Sequence, residues 1–399
     1  MSKTTEKNQP GLKICVVTGI PPLNLLVYKF VQVLEPTVDE LVLITGNYPE
    51  KDVFSPKIKL ININHDSKKQ SLIIRIPKFI FMQLKFTLNL IKNLSQTKMV
   101  VFFLDGGLYL LPLLAAKLAG RKTIMVITQS SSQIAKQSNK SKFLPLVMFI
   151  LETISRKLTH KLVVYSPSLV PQFNLEKHKN KIIVAHEHFI DFNVFKILHP
   201  LKKRNNNVGY VGRLSSEKGI LNLIKAVALL ARKENKIAKN KTKFFIIGDG
   251  ELKEEAKRLI NQNNLNNEEI RLSGWVPHEE LPKHLNEMKL LVIPSYTEGL
   301  VNVMLEAMAC GTPVLATAVG AIPDVIKDGE TGFILEDNSP ETIARGITRA
   351  LNHPYLEQVA VSAHALVERE FTFEAAVERY RKIFEELLEK KSLMKQEVW

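Results

Sequence analysis

From Lys13 onward the chain alternates short apolar, β-branched runs with longer segments of helical period, and it does so twice. In the first half the short runs stand at 13–18, 41–45, 58–63, 100–103, 123–127 and 161–165. They are too short for helices and too uniformly apolar to keep a solvent face, which marks strands covered on both sides of a parallel sheet. The helical segments between them supply the crossovers that parallel neighbours need. After a polar interruption the rhythm resumes, with strands at 207–211, 243–247, 270–272, 290–293, 314–316 and 332–335. Helices near 219–232, 251–263, 277–287, 301–309 and 339–351 alternate with them. The expectation is an α/β chain of two Rossmann-like, doubly wound domains. Its 399 residues, 45% of them hydrophobic, suffice to fill two cores.

The boundaries follow from where the pattern breaks. The chain leaves the first sheet around 184–195, and Pro200 with the polar run 202–207 reads as a connection. This predicts a first domain over 1–196, a linker over 197–207, a second domain over 208–371 and a charged amphipathic helix near 373–391, within 372–399. Residues 1–10 read as a disordered leader, polar and without the apolar core of a signal peptide. The longest nearly apolar stretch, 99–116, is interrupted by Asp105, Gly106 and Gly107, so it reads as strand, loop and helix rather than a membrane span. A soluble or peripheral protein on the cytosolic side is expected. Cys15 and Cys310 are the only cysteines, which suits two buried, reduced thiols and neither a disulfide nor a metal centre.

Charge separates the halves. Residues 1–200 hold 27 Lys/Arg against 12 Asp/Glu, whereas 201–399 hold 28 of each, so the whole excess of +15 lies on the first half. An anionic partner for that lobe follows, a membrane surface or a nucleic acid. The segments 68–98 (with Arg75, Lys78, Lys85 and Lys92) and 140–161 mix cations with apolar residues at helical spacing. Together they favour peripheral docking on anionic lipid. No RNA- or DNA-binding motif is present, and no nucleic-acid partner is expected.

The stretch carrying the most chemistry is Thr297-Glu298-Gly299-Leu300-Val301-Asn302-Val303-Met304-Leu305-Glu306-Ala307-Met308-Ala309-Cys310-Gly311-Thr312-Pro313-Val314. A strand at 290–293 turns through Glu298 and Gly299 into a helix that Gly311 and Pro313 stop. Glu298 is thereby placed at the carboxyl end of a strand, where open α/β sheets bind ligands, and Glu306 roughly two turns into the helix. The amides of Leu300, Val301 and Asn302 stand at a helix N-terminus, a ready anion site. Upstream, Val211-Gly212-Arg213-Leu214-Ser215-Ser216-Glu217-Lys218-Gly219 frames two cations between glycines on another strand-to-helix loop. Two cations and backbone amides suit a diphosphate. Alone, either acid could be a helix cap and either cation merely solvated; their shared context is what argues for function.

Glu298 and Glu306, with seven residues between them in EGL-x-N-V-x-LEAMACGTPV, resemble the E-x7-E signature of the family 4 retaining glycosyltransferases. The Gly212–Gly219 run is similar to that family's G-R-x-x-x-x-K-G loop. Ile246-Ile247-Gly248-Asp249-Gly250 and Ser273-Gly274-Trp275-Val276-Pro277 follow in the family's order. The resemblance covers about 207–399 strongly and the first half only in pattern. It implies the GT-B arrangement, two Rossmann-like domains facing across a cleft, with the last helix returning to brace the first domain. It implies Arg213 and Lys218 on the donor diphosphate with the amides of Leu300, Val301 and Asn302, Glu306 on the ribose, and Glu298 and Gly299 at the donor sugar. Val276 would meet the base through its backbone, and Gly248 and Gly250 would shape the loop beneath. An acid pair would suit oxocarbenium-like chemistry.

The first half departs from the family. Gly19, in Thr18-Gly19-Ile20-Pro21-Pro22, is one glycine where two are common. Gln129 follows the strand at 123–127 where the family has His; it can donate a hydrogen bond but cannot titrate. His186 and His188 near the hinge are candidates for that role, though ordinary partly buried histidines explain them better. Ala321, after Gly320, replaces a second glycine. No Asp-x-Asp occurs in the chain, which fits leaving-group stabilisation without metal, and no cofactor is expected beyond the nucleoside diphosphate sugar substrate. The implied reaction is sugar transfer to an acceptor, and the charge asymmetry alone points to one that is lipid-linked or membrane-proximal. A nucleotide-sugar epimerase of the same fold, or an inactive membrane-associated partner protein, are the alternatives.

Overall fold

The computed structural model describes residues 11–19, 25–46, 54–64, 72–104, 106–128, 130–137, 143–232, 242–266 and 269–388. The expected leader 1–10, Ile20 to Pro22, Gln129 and the end of the expected last helix lie outside the described residues. The chain divides into two compact units. Over their described residues, one comprises Met1–Tyr165, Phe173–Glu187 and Ala376–Trp399, the other Ser166–Gln172 and His188–Ala375.

The first unit is built on a parallel sheet of β1 (Lys13–Val17), β2 (Glu40–Gly46), β3 (Ile58–Ile63), β4 (Met99–Phe103), β5 (Lys122–Ile127), β6 (Lys161–Val164) and β7 (Ile182–Val184). Their spatial order is β3-β2-β1-β4-β5-β6-β7. Helices α1 (Leu25–Leu34), α2 (Leu72–Asn93), α3 (Leu110–Leu118), α4 (Ser131–Gln137) and α5 (Phe143–Leu158) cover it. Strand β4 is buried at all five positions, as its apolar run requires. Strand β7 goes beyond the sequence reading. It is a three-residue edge strand, half exposed, and too short to show a period.

The second unit begins with α6 (Leu169–Gln172) and continues with strands β8 (Asn207–Val211), β9 (Lys243–Ile247), β10 (Ile270–Gly274), β11 (Leu290–Ile293), β12 (Val314–Thr317) and β13 (Phe333–Leu335). All are parallel, in the order β10-β9-β8-β11-β12-β13. The helices are α7 (Ile220–Arg232), α8 (Lys253–Gln262), α9 (Leu281–Glu287), α10 (Asn302–Ala309), α11 (Ile322–Val325), α12 (Pro340–Leu351) and α13 (Leu356–Glu370). Ile220, Ile224 and Val227 of α7 and Ile343 and Ile347 of α12 pack with Tyr210, Ile246, Val292 and Leu315 of the sheet in one core. Ser339 caps α12, accepting from the Thr342 amide. The strand order reverses between β8 and β11, so the loops after these two strands diverge and open a crevice. Among the described residues, no helix is long and apolar enough to cross a membrane.

One segment sits differently from the sequence reading. The expected linker 197–207 is part of the second unit, stitched there by one buried arginine. Arg204 donates to the carbonyl oxygens of His199 (3.0 Å), Met288 (3.0 Å) and Cys310 (2.7 Å) and to Thr312 Oγ1 (2.7 Å). Asn286 Oδ1 accepts from the Leu198 amide at 2.7 Å. These acceptors are carbonyls at helix ends, so the polar residues that satisfy them look in sequence like a solvated connection. After a short excursion at Ser166–Gln172, the chain passes into the second unit at Glu187–His188. The final helix, α14 (Phe373–Leu388), joins the first unit from Ala376 onward. Tyr380 is fully buried, edge-on to Phe30 at 5.3 Å, and Phe30 stacks on Phe103 at 4.0 Å. Lys161 and Glu386 close the contact at 2.9 Å.

Candidate functional site

The loop after β8 is held open by glycines from elsewhere in the sheet. A Cβ on Gly248 would lie 1.8 Å from the Gly212 oxygen, and one on Gly250 2.4 Å from the Leu214 oxygen. Both have positive φ, +143° and +158°, so glycine is needed for conformation as well as for space. The Leu214 amide then bonds the Asp249 carbonyl, and the Leu252 amide the Leu214 carbonyl, each at 2.9 Å. Gly219, at φ +69°, lets the start of α7 approach β11; a Cβ there would meet the Pro294 oxygen at 2.0 Å. The Tyr296 amide bonds the Glu217 carbonyl at 2.9 Å and ties the two divergent loops together.

On this frame Lys218, Glu298 and Arg213 converge. Lys218 Nζ lies 2.8 Å from each carboxylate oxygen of Glu298, and Ser295 Oγ donates to Glu298 Oε1 at 2.7 Å. The Glu298 side chain is 9% exposed and Lys218 24%. Arg213 is largely solvent-facing and pairs with Glu217, to which Ser215 also donates at 2.7 Å. Partial burial pushes the Glu217 carboxyl up, but hydrogen bonds from Ser215, its own backbone and Arg213 together hold it below the usual range. Tyr210 reaches the same loop from beneath, its hydroxyl donating to the Arg213 carbonyl at 2.7 Å. Burial, with Glu298 and Glu217 nearby, keeps that phenol protonated.

Arg213, Lys218, Glu298, Leu300, Val301 and Asn302 line one cavity of about 280 Å³. No side chain caps the N-terminus of α10 there, so its first amides face outward as donors. Six of the sequence-predicted site residues are thus brought together. Gly299 contributes backbone: its carbonyl accepts from the Ala321 amide at 2.9 Å, and Gly320 packs against Glu298 and Gly299 where a Cβ would stand 2.3 Å from the Glu298 oxygen.

The remaining predicted residues are placed otherwise. Glu306 does not line this cavity; it is 3% exposed on α10, and His278 Nε2 donates to its Oε1 at 2.9 Å. The turn from loop to helix separates the two carboxylates, Glu298 at the cavity and Glu306 beside His278. Val276 is half-buried beside the exposed Trp275, and Gly248 and Gly250 act under the loop rather than in the cavity. In the first unit, Gly19 lies so close to Tyr109 that a Cβ would meet its hydroxyl at 1.7 Å. The His186 carbonyl accepts from Arg379 at 3.3 Å, and His188 is buried.

Sequence reasoning missed three supports. Ser295 and Glu217 hold Glu298 and Arg213, and both lie inside the motifs already noted, a strand end and the spacer of the cation loop. His278, directly after the Trp-Val-Pro segment, carried no signal. A fourth lies in the first unit, where Glu152 accepts from Ser132 N (3.2 Å), Ser132 Oγ (2.7 Å), Ser130 Oγ (3.1 Å) and Arg156 Nη2 (3.3 Å). This buried network fixes the turn at 130–132. Among the described residues, no three His, Cys, Asp or Glu side chains gather as metal ligands.

Residues 192–365 match the family described as glycosyl transferases group 1. An uncharacterized glycosyltransferase of Methanocaldococcus jannaschii is 33% identical over 144 residues, 36% of this chain and 40% of that protein. The capsular polysaccharide biosynthesis glycosyltransferase CapM of Staphylococcus aureus is 28% identical over 264 residues, 61% of this chain and 66% of its own length. The chain spans less than two thirds of either curated relative. Sucrose-phosphate synthase of Thermosynechococcus elongatus superposes with a TM-score of 0.73 at 18% identity, covering 94% of this chain and 99% of that one. Anabaena HepE, solved with UDP and glucose, gives 0.69 at 16% identity, covering 94% and 100%.

Fold and loops define the class: two parallel-sheet α/β units of the GT-B kind, as in these glycosyltransferases. Within it, residues 192–365 are similar to the group 1 glycosyl transferases.

Proposed function

We propose that the chain is a retaining glycosyltransferase that moves a sugar from a nucleoside diphosphate sugar to an acceptor in glycan or polysaccharide synthesis. The observation that carries this reading is the single cavity in which Arg213, Lys218 and the uncapped N-terminus of α10 surround Glu298. Arg213 and Lys218, paired here with Glu217 and Glu298, and the helix terminus supply donors suited to a diphosphate that gains charge as it departs. The names of the capsular-polysaccharide relative and of the UDP complex of HepE support this direction and make UDP the first nucleotide to test.

In the proposed reaction, the bond between the anomeric carbon and the diphosphate oxygen breaks, and the diphosphate leaves with the electron pair. Arg213, Lys218 and the amides at 300–302 take up its charge, so no metal or further cofactor is invoked. The acceptor oxygen bonds to the same face of the sugar, and its proton passes to the departing diphosphate. Glu298 hydrogen-bonds the sugar hydroxyls and steadies the cationic character of the ring. Glu306, positioned by His278, addresses the ribose. The charge asymmetry supports an acceptor held at a membrane surface.

A thermal-shift panel of UDP, GDP, ADP and their common sugars, run on wild type and Arg213→Ala, tests the donor site. A nucleotide at roughly a hundred times its dissociation constant stabilises by about 2.7 kcal/mol. Stabilisation by one base, lost in the variant, is expected. No shift with any of them would refute the reading.

A further inference from the structure

Of the 21 exposed large hydrophobic side chains among the described residues, 12 stand on α2, α3 and α5 of the first unit. Helix α3 packs against both of the others, so the three outer faces adjoin. On α2, Ile80, Phe81, Leu84, Leu88 and Ile91 recur at helical spacing and are each 46–59% exposed. They form a second apolar stripe, because the same helix already buries Phe86 and Leu90 against the sheet. Helix α5 repeats the arrangement, with Phe143, Leu146, Phe149, Ile150 and Ile154 outward and Glu152, Ser155 and Arg156 inward. Leu118, 89% exposed, extends the patch from α3. Each stripe runs for about 17 Å. Such a surface is larger than folding alone would leave bare.

Charge says what covers it. These helices carry Lys78, Lys85, Lys92, Lys117 and Lys157, and their one acid, Glu152, is buried and paired with Arg156. No carboxylate therefore faces outward from the patch. The outer face of α14, by contrast, mixes Glu378 with Arg381 and Lys382. Protein interfaces are depleted in lysine and enriched in tyrosine, tryptophan and arginine. This patch is the reverse: Phe, Leu and Ile rimmed by lysines whose long stems allow the ammonium groups to sit at headgroup level. Lys85 already lies over the Phe81 ring at 4.7 Å.

We propose that the joined outer faces of α2, α3 and α5 dock on an anionic lipid bilayer, the apolar stripes entering the headgroup boundary and the lysines meeting lipid phosphates. The inference deepens the membrane-proximal acceptor reading above and rests on it for its purpose. Helix α5 joins the two roles, since its opposite face grips the serine turn at 130–132 through Glu152. The lipid face and the turn that follows β5 thus share one rigid element.

The test is flotation of the full chain with phosphatidylglycerol–phosphatidylcholine vesicles and with phosphatidylcholine alone. Binding to the anionic vesicles is expected. F81S/L88S/F149S/I150S should lower it more than a hundredfold. K78Q/K85Q/K92Q should lower it about a hundredfold and flatten its salt dependence. Both variants should keep the wild-type thermal shift with nucleotide, which shows them folded and separates failure of docking from failure of the donor site. Flotation by the serine variant equal to wild type would overturn the proposal. So would the absence of wild-type flotation, or self-association that the same serine variant abolishes, which would assign the patch to a second copy.

Discussion

Lys218→Gln separates a structural cation from a working one. In the free protein Lys218 bonds both oxygens of a carboxylate that is 9% exposed, and Ser295 is the other hydroxyl partner of that acid. An exposed pair contributes up to about 1 kcal/mol, and breaking a fully buried one costs about 3–5 kcal/mol. With the lysine 24% exposed, this pair belongs between them, so Lys218→Gln should destabilise by about 2 kcal/mol. That corresponds to a fall in Tm of roughly 4–8 °C. Glu298→Gln in the same background should recover part of the loss, because the stranded carboxylate is then gone. The effect on turnover should be larger. One donor to a developing oxyanion is worth about 2.7–4 kcal/mol, or roughly 10²–10³ in kcat. The assay is release of nucleoside diphosphate from the sugar nucleotide selected by thermal shift, beside calorimetric unfolding. A variant that loses stability but turns over at the wild-type rate would refute the assignment of Lys218 to the leaving group.

Three further outcomes are expected. Glu187 is fully buried, and burial raises its carboxyl from 4.5 to about 7, with the Tyr165 hydrogen bond opposing. A raised acid stabilises fully below its unfolded pKa and loses that contribution as pH rises through the folded one. Wild type should therefore lose about 3 kcal/mol between pH 4.5 and 7, and Glu187→Gln should flatten that slope in urea unfolding across pH. Arg204→Met strands buried carbonyls of His199, Met288 and Cys310 and should cost about 3–5 kcal/mol by calorimetry. Gly248→Ala, whose Cβ would meet the Gly212 oxygen, should displace the cation loop and weaken nucleotide binding in titration calorimetry at least tenfold.

How far the sequence reveals the molecule depends on which interactions are local. Strands β8 and β11 coincide with their apolar runs because a strand covered on both faces leaves no other pattern. Glu298 and Lys218 were legible as candidates because glycines and strand ends frame them, yet their ion pair joins residues eighty positions apart. Spacing holds no record of such a contact. Arg204 shows the opposite failure, since a residue that pairs only with carbonyls looks solvated when read along the chain. Helix α13 escaped for a related reason: its buried Val359, Ala360 and Ala363 are small and interspersed with charge. The second apolar stripe on α2 and α5 was hidden by its own strength. In sequence it merges with the buried stripe into one hydrophobic helix, and only exposure divides them.

The two acids that stand out together in sequence end with different partners, and only one of them lines the cavity, which bears on the chemistry. Hydrolysis by paired carboxylates needs both to flank the scissile bond, one to protonate the leaving oxygen and one to stabilise or attack the sugar. Here Glu298 is the one carboxylate lining the cavity, and Glu306 is buried with His278. No second acid in that cavity can protonate a leaving group, but two cations and a helix terminus can neutralise one. A leaving group that departs as an anion, as a nucleoside diphosphate does, fits that arrangement. One that must be protonated to leave, as an alcohol from a glycoside does, fits it poorly. A single lining carboxylate, with Arg213, Lys218 and a helix terminus beside it, therefore favours transfer from an activated donor over hydrolysis of an unactivated one.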